Sequence, residues 1–196
     1  MSYPHLTLIV GGEERSVGSA GTLRLSDPAD GSELTVAPRA GRAEALEAAA
    51  AAEAGGAEWA ALSALERSKI MRRAADIMRE RADVAARVMS MEQGKPLAEA
   101  RGEWLGSADL LDWYAEEGRR VYGRIVPSRA PNIQIQVLKH PVGPVAAFTP
   151  WNFPAWNTMQ KVAPALGAGC PVVVKPASDT PGTAWLIVKA LLEAGL

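Results

Sequence analysis

Two apolar runs, VGPVAAFT (142–149) and CPVVVKP (170–176), bracket a helical segment at about 155–167, and another helix starts at Pro181. No other feature restricts the fold as strongly. Both runs are apolar at successive positions, as a strand covered on both faces would be. The order strand, helix, strand, helix over 142–193 describes parallel βαβ units, because parallel strands need a crossover that a tight hairpin cannot supply. In the first helix Val162, Ala165 and Leu166 should point inward. The second, PGTAWLIVKALLEAGL, opens on a proline suited to a first helical turn. It carries enough apolar residues (Trp185, Leu186, Ile187, Val188, Leu191, Leu192) to lie on a sheet. The sequence stops where the next strand of that sheet would begin. The expectation is an α/β chain with a partial doubly wound, Rossmann-like parallel sheet, the N-terminal part of a longer protein.

Upstream the pattern differs. LTLIV (6–10) runs into Gly11-Gly12, a hairpin signal, and TLRL (22–25) and ELTVA (33–37) form a second pair joined by the turn-rich SDPADGS. From Arg42 the chain reads as helix. GRAEALEAAAAAEAGGAEWAAL is Ala-rich, interrupted at Gly55-Gly56, with Leu46, Trp59 and Leu62 to bury. Ser63 to Glu66 matches a capping box, and Ile70, Met71, Ala74, Ile77 and Met78 follow at helical spacing. ADVAARVMSMEQ stops at Gly94-Lys95-Pro96. A further helix over roughly 97–117 has Trp104, Leu105, Leu111 and Trp113 as apolar anchors. IQIQVL (133–138) alternates, as a half-buried strand with one wet or partner-facing side would. The organisation expected is an N-terminal hairpin region and helical layer (1–122), a bridging β-arm (123–141) and the start of the βαβ core (142–196).

Composition excludes several function classes. Apolar residues make up 48% and the net charge is −1, without a basic stripe, so neither nucleic acid nor a membrane surface is an expected partner. One cysteine excludes an internal disulfide, which fits a cytoplasmic protein. Two histidines, His5 and His140, far apart in the chain, give no metal cluster. Neither GxGxxG nor GxxxxGK[ST] occurs, so glycine fingerprints give no nucleotide site.

The chemistry concentrates at the two strand ends, where ligands of parallel sheets bind. The first end is Thr149-Pro150-Trp151-Asn152 and the second Lys175-Pro176-Ala177-Ser178. Adjacent parallel strands are about 5 Å apart, so both ends could line one cleft. Lys175 offers a cation to hydroxyls or phosphate, and Ser178 a small polar partner. Asn152, between two aromatics and two prolines, reads as a preorganised amide donor able to stabilise an oxyanion. On residues alone, PWNFP is equally readable as a rigid turn with aromatic plugs, and Lys175 as a surface lysine.

PWNFP (150–154) followed by PALGAGCPVVVKPASDTP (164–181) resembles the aldehyde dehydrogenase superfamily, and MEQGKPLAEA (91–100) resembles its helix-ending EQGKP signature. The resemblance is colinear over essentially the whole chain. It implies an NAD- or NADP-dependent enzyme oxidising a small-molecule aldehyde to a carboxylate through a cysteine thiohemiacetal and thioester, in a homodimer or homotetramer. Asn152 matches the oxyanion-hole asparagine, and Thr149, Pro150 and Trp151 the segment on the nicotinamide side. Lys175 matches the lysine on the adenosine ribose, with Pro176, Ala177 and Ser178 beside it. Phe153, Asn157 and Gln160 fall where members line the aldehyde tunnel, and Lys161 matches a recurring lysine. A neutral Ser178, where NAD-restricted members often have Glu, implies tolerance of NADP. Gln160 stands where the succinate-semialdehyde branch usually has Arg, which removes a cation from a substrate carboxylate. Cys170, ahead of a buried strand, matches a structural position. The nucleophile and general base are expected beyond Leu196, so residues 1–196 alone should be inactive. Two other outcomes stay open: a CoA-acylating semialdehyde dehydrogenase, and a non-catalytic binding or structural derivative.

Overall fold

A computed structural model describes residues 2–196. The N-terminal signals read as expected. β1 (Leu8–Val10) and β2 (Glu13–Arg15) pair antiparallel through Gly11 and Gly12, whose φ values of 58° and 83° suit a two-residue primed turn. β3 (Thr22–Ser26) and β4 (Glu33–Pro38) form the second hairpin. Leu25 and Ala37 join Tyr3, Leu6 and Val88 in a small satellite core.

Helices then follow: α1 (Arg42–Ala61), α2 (Ala64–Glu80), α3 (Ala82–Gln93) and α4 (Leu97–Glu117). The capping box of α2 forms, with the Ser63 side chain accepting from the Glu66 amide and Glu66 accepting from the Ser63 amide. α3 ends on Gly94 in the left-handed region, φ 84°. Gly55-Gly56 does not interrupt α1. A Cβ at Gly56 would lie 2.6 Å from Pro171 Cγ, so the glycine permits close packing against the chain entering the next sheet. Beside it Trp59 is buried, and its indole donates to the Leu166 carbonyl at 3.0 Å.

Two expected anchors face outward. Leu46 is 59% exposed and Trp113 65% exposed. Trp113 stands nine residues beyond the fully buried Trp104, about half a turn around the helix at 3.6 residues per turn. Leu46 lies thirteen residues before Trp59 and is similarly displaced. Alanine-rich and mixed helices leave the buried face to be chosen by tertiary neighbours.

A short 3-10 turn leads to β5 (Arg124–Pro127) and β6 (Gln134–Val137), which pair only with each other. The half-buried reading of this strand does not hold. All four residues of β6 are exposed, because nothing among the described residues packs on either face.

β7 (Val145–Phe148) and β8 (Val172–Lys175) form the parallel pair, in register from Val145↔Val172 to Phe148↔Lys175, joined through α5 (Pro154–Gly167). α6 (Pro181–Ala194) follows. The main core is built by α2 to α6 around Trp104, Met78, Met89, Met159 and Ile187, with Val162 and Leu166 inward as expected. Trp104 donates its indole N–H to the Met78 carbonyl at 2.6 Å, so the largest core side chain leaves no polar atom unpaired. The expectation of strands covered on both faces is met on one side only. Ala147 is buried beneath the helices, while Ala146 is exposed and Phe148 is 67% exposed.

Candidate active site

The two strand ends meet as their register requires. The Thr149 amide donates to the Lys175 carbonyl at 3.2 Å, extending the parallel ladder by one step. Thr149 is buried there, while the Lys175 and Ser178 side chains are exposed and Pro176 and Ala177 half-buried. Trp151 and Ser178 line one cleft of about 490 Å³. Its other wall is β3, through Leu23 and Leu25, together with Pro28, a contribution with no sequence signal. The structure thus gathers Thr149 with Lys175 and Trp151 with Ser178.

Asn152 sits on the bend between β7 and α5. Its aromatic neighbours do not hold it: Trp151 is 54% and Phe153 51% exposed. The hold comes from a buried ion pair that the sequence did not disclose. Lys95, in the loop between α3 and α4, pairs with Glu103 of α4. The ammonium donates to the Asn152 carbonyl at 3.1 Å and lies 4.4 Å from the centre of the Phe153 ring, a cation–π distance. Glu103 Oε1 accepts from the Ala155 and Trp156 amides at 2.8 and 3.1 Å, the N2 and N3 positions of α5. Both sides of Asn152 are therefore fixed to the helical layer.

The side-chain amide is oriented as well. Asn157 Nδ2 donates to Asn152 Oδ1 at 3.3 Å, which engages the acceptor and leaves Asn152 Nδ2 as the end able to donate. Phe153, Asn157 and Gln160 follow at i, i+4 and i+7, one stripe along α5. Phe153 and Gln160 are exposed and Asn157 half-buried. Lys161 turns back to donate to the Asn157 carbonyl at 3.2 Å.

A second carboxylate closes the N-terminus of α6. Glu92, at the end of α3, accepts from the Gly182 and Thr183 amides, both at 2.8 Å, from the Thr183 hydroxyl, and from the Tyr3 hydroxyl. Burial pushes the Glu92 carboxyl up, against the pull of these donors. Burial, and then the neighbouring carboxylate, pushes the Tyr3 hydroxyl far up. Helix N-termini are natural phosphate sites, yet those of α5 and α6 are both taken by protein carboxylates. A dinucleotide pyrophosphate does not fit either one, whereas Lys175 and Ser178 stand exposed with donors open to a ligand.

Cys170 is 3% exposed and precedes β8 at the end opposite Lys175. Five residue steps, about 16 Å at the rise of a strand, separate the two. Arg67 stands near the thiol, a neighbour with no sequence signal. Among the described residues no group of His, Cys, Asp and Glu could hold a metal ion, and no helix is long and apolar enough to cross a membrane.

The profile of the aldehyde dehydrogenase family matches residues 16–196. A glutarate-semialdehyde dehydrogenase of Pseudomonas putida is 43% identical over 187 residues, covering 95% of this chain and 39% of that protein. The NADP(+) succinate-semialdehyde dehydrogenase of Escherichia coli is 41% identical over 188 residues, covering 96% and 39%. The crystal structure of a succinate-semialdehyde dehydrogenase from Burkholderia pseudomallei superposes with a TM-score of 0.96 at 44% identity, over 99% of this chain and 40% of that one. The chain thus spans about two-fifths of the length of these relatives.

Proposed function

This chain belongs to the aldehyde dehydrogenase family, and from that premise we propose that the intact protein oxidises an aldehyde to a carboxylate with NAD or NADP. Asn152 is the oxyanion donor in this reading. A thiolate adds to the aldehyde carbon, negative charge grows on the carbonyl oxygen, and Asn152 Nδ2 donates to it. The bound nicotinamide supplies the hydride acceptor, and water then hydrolyses the thioester. The single cysteine of this chain, buried at the far end of β8, does not serve that cleft, so the thiolate is expected from residues outside 1–196.

One observation carries the reading. At the carboxyl end of a parallel strand pair, an asparagine is held by its backbone and by Oδ1, with its donor end free, before any charge has appeared. Fixed donors of this kind act without reorganisation during the reaction. Thr149, Pro150 and Trp151 stand as the nicotinamide side of the site. Lys175, Pro176, Ala177 and Ser178 stand as the adenosine ribose side, with Ser178 placing no negative charge against a 2′-phosphate. Phe153, Asn157 and Gln160 form the aldehyde wall. The relatives are dehydrogenases of glutarate semialdehyde and succinate semialdehyde. Gln160 offers no charge to their carboxylate, which favours an aldehyde without one. The arm of β5 and β6, exposed on both faces with Ile125, Ile135 and Leu138 outward, is suited to pairing with a second copy.

The test is aldehyde-dependent nicotinamide reduction by the intact protein. Asn152→Ala should lower kcat by roughly a hundredfold or more, with the cofactor KM unchanged. Near-normal turnover would refute the role given to Asn152.

A further inference from the structure

We propose that the Lys95–Glu103 ion pair is a positioning device for catalysis, setting turnover through Asn152 without touching substrate or cofactor. The inference rests on the oxyanion reading of Asn152 and adds to it the groups that hold the donor in place.

The pair is nearly sealed from water, with side chains 9% and 5% exposed. Buried charges are costly unless each is paired and its remaining hydrogen-bonding capacity is filled. Here the filling is directed entirely at one short segment. The ammonium bonds the Asn152 carbonyl and faces the Phe153 ring, while the carboxylate binds the Ala155 and Trp156 amides. The positive end of the α5 dipole favours the carboxylate at that place. Residues 95 and 103 thus grip residues 152 to 156 from both flanks of the catalytic amide. An apolar pair of similar volume could still pack here, though it would leave the Ala155 and Trp156 amides without an acceptor. It could not fix the azimuth of one carbonyl and two amides together.

The aromatic neighbours cannot do this alone, since Trp151 and Phe153 are half exposed. Without the ammonium the Asn152 carbonyl loses its hydrogen-bond donor. The side-chain amide is then tethered only by Asn157. Displacements of about 1 Å in a catalytic group can cost about a hundredfold in rate.

Lys95→Met keeps the stem and removes the charge, and Glu103→Gln keeps the shape of the partner. Both are made in the intact protein, in the wild-type and the Asn152→Ala backgrounds, and kcat and cofactor KM are measured for each. In the wild-type background each should lower kcat by about ten- to a hundredfold with cofactor KM unchanged. In the Asn152→Ala background each should change kcat by no more than about twofold, the scatter of independent sites. Equal losses in both backgrounds, or an unchanged kcat in the first, would overturn the proposal. Should Lys95→Met fail to fold, Glu103→Gln decides it by the same criterion. If Asn152→Ala itself leaves kcat intact in an active enzyme, the oxyanion reading falls and takes this one with it. Loss of the proposal alone leaves that reading standing.

Discussion

Glu92→Ala should destabilise the protein by about 3 kcal/mol, through the start of α6. Glu92 is 4% exposed and receives four donors: two amides, the Thr183 hydroxyl and the Tyr3 hydroxyl. Alanine leaves the Gly182 and Thr183 amides without an acceptor in a place water does not reach easily, since Thr183 is 0% and Thr180 1% exposed. An orphaned buried group costs about 1–3 kcal/mol, so the two amides together give about 2–6 kcal/mol. The hydroxyls can turn to other acceptors and add less. Against this, burial penalises the carboxylate itself, as its upward shift records, and removing it relieves that penalty. The balance falls in the lower half of the range. A larger residue at position 182 gives no way round the problem, because a Cβ there would lie 2.2 Å from the Tyr3 hydroxyl oxygen. Urea unfolding of the intact protein, followed by far-ultraviolet circular dichroism, measures the loss. Tyr3→Phe alone should cost about 1 kcal/mol, but in the Glu92→Ala background it should be neutral or stabilising, since it then removes an orphan. A loss below about 1 kcal/mol for Glu92→Ala, or Tyr3→Phe costing the same in both backgrounds, would refute the reasoning.

Ser178→Glu should lower the NADP/NAD ratio of kcat/KM in the intact enzyme, by placing a carboxylate beside the 2′-phosphate. An unchanged ratio would show that the phosphate binds elsewhere. Glu44 is held at about 2, well below its ordinary 4.5, mainly by the Ser19 hydroxyl and then by the backbone amides at the start of α1. Its depressed value means that the ionised form contributes stability above the unfolded pKa, and that this is lost as pH falls from about 4.5 towards about 2. Thermal unfolding of wild type and Glu44→Gln across pH should therefore show a gap that is constant near neutrality and closes in that window. A gap unchanged through it would contradict the assignment.

What the sequence disclosed was local. Gly11-Gly12, the Ser63 capping box, Gly94 after α3 and the proline opening α6 each fix a boundary through interactions spanning four or five residues. The parallel pair was legible because VAAF and VVVK have few alternatives as apolar runs of that length. Burial was less legible. Trp113 and Leu46 carry the same apolar content as Trp104 and Trp59, and only the neighbours decide which face turns inward. Least legible were the groups that hold the site. EQGKP was visible as a pattern, but Lys95 meets Asn152 across 57 positions and Glu92 meets Gly182 across 90. A signal existed for Glu92: a carboxylate among Val88, Met89 and Met91, on the face that packs, has to find buried donors.

Those two carboxylates solve one problem twice. α5 and α6 each begin with proline at N1, which has no N–H to satisfy, and neither Phe153 nor Thr180 at the N-cap bonds the helix with its side chain. The amides at N2 and N3 are then the ones left without a partner, and in each helix a single carboxylate from the helical layer takes both. Glu103 serves Ala155 and Trp156, and Glu92 serves Gly182 and Thr183. A doubly wound sheet often turns such amides towards a ligand phosphate through a glycine-rich loop. Here prolines replace the glycines, and the helix dipoles are spent inside the protein. On the proposed reading, charge recognition at the two strand ends comes from side chains, those of Lys175 and Asn152. The first of these caps also ties the bend bearing Asn152 to α4 and to the loop before it, so the group that satisfies the start of α5 is the one that holds the asparagine in place.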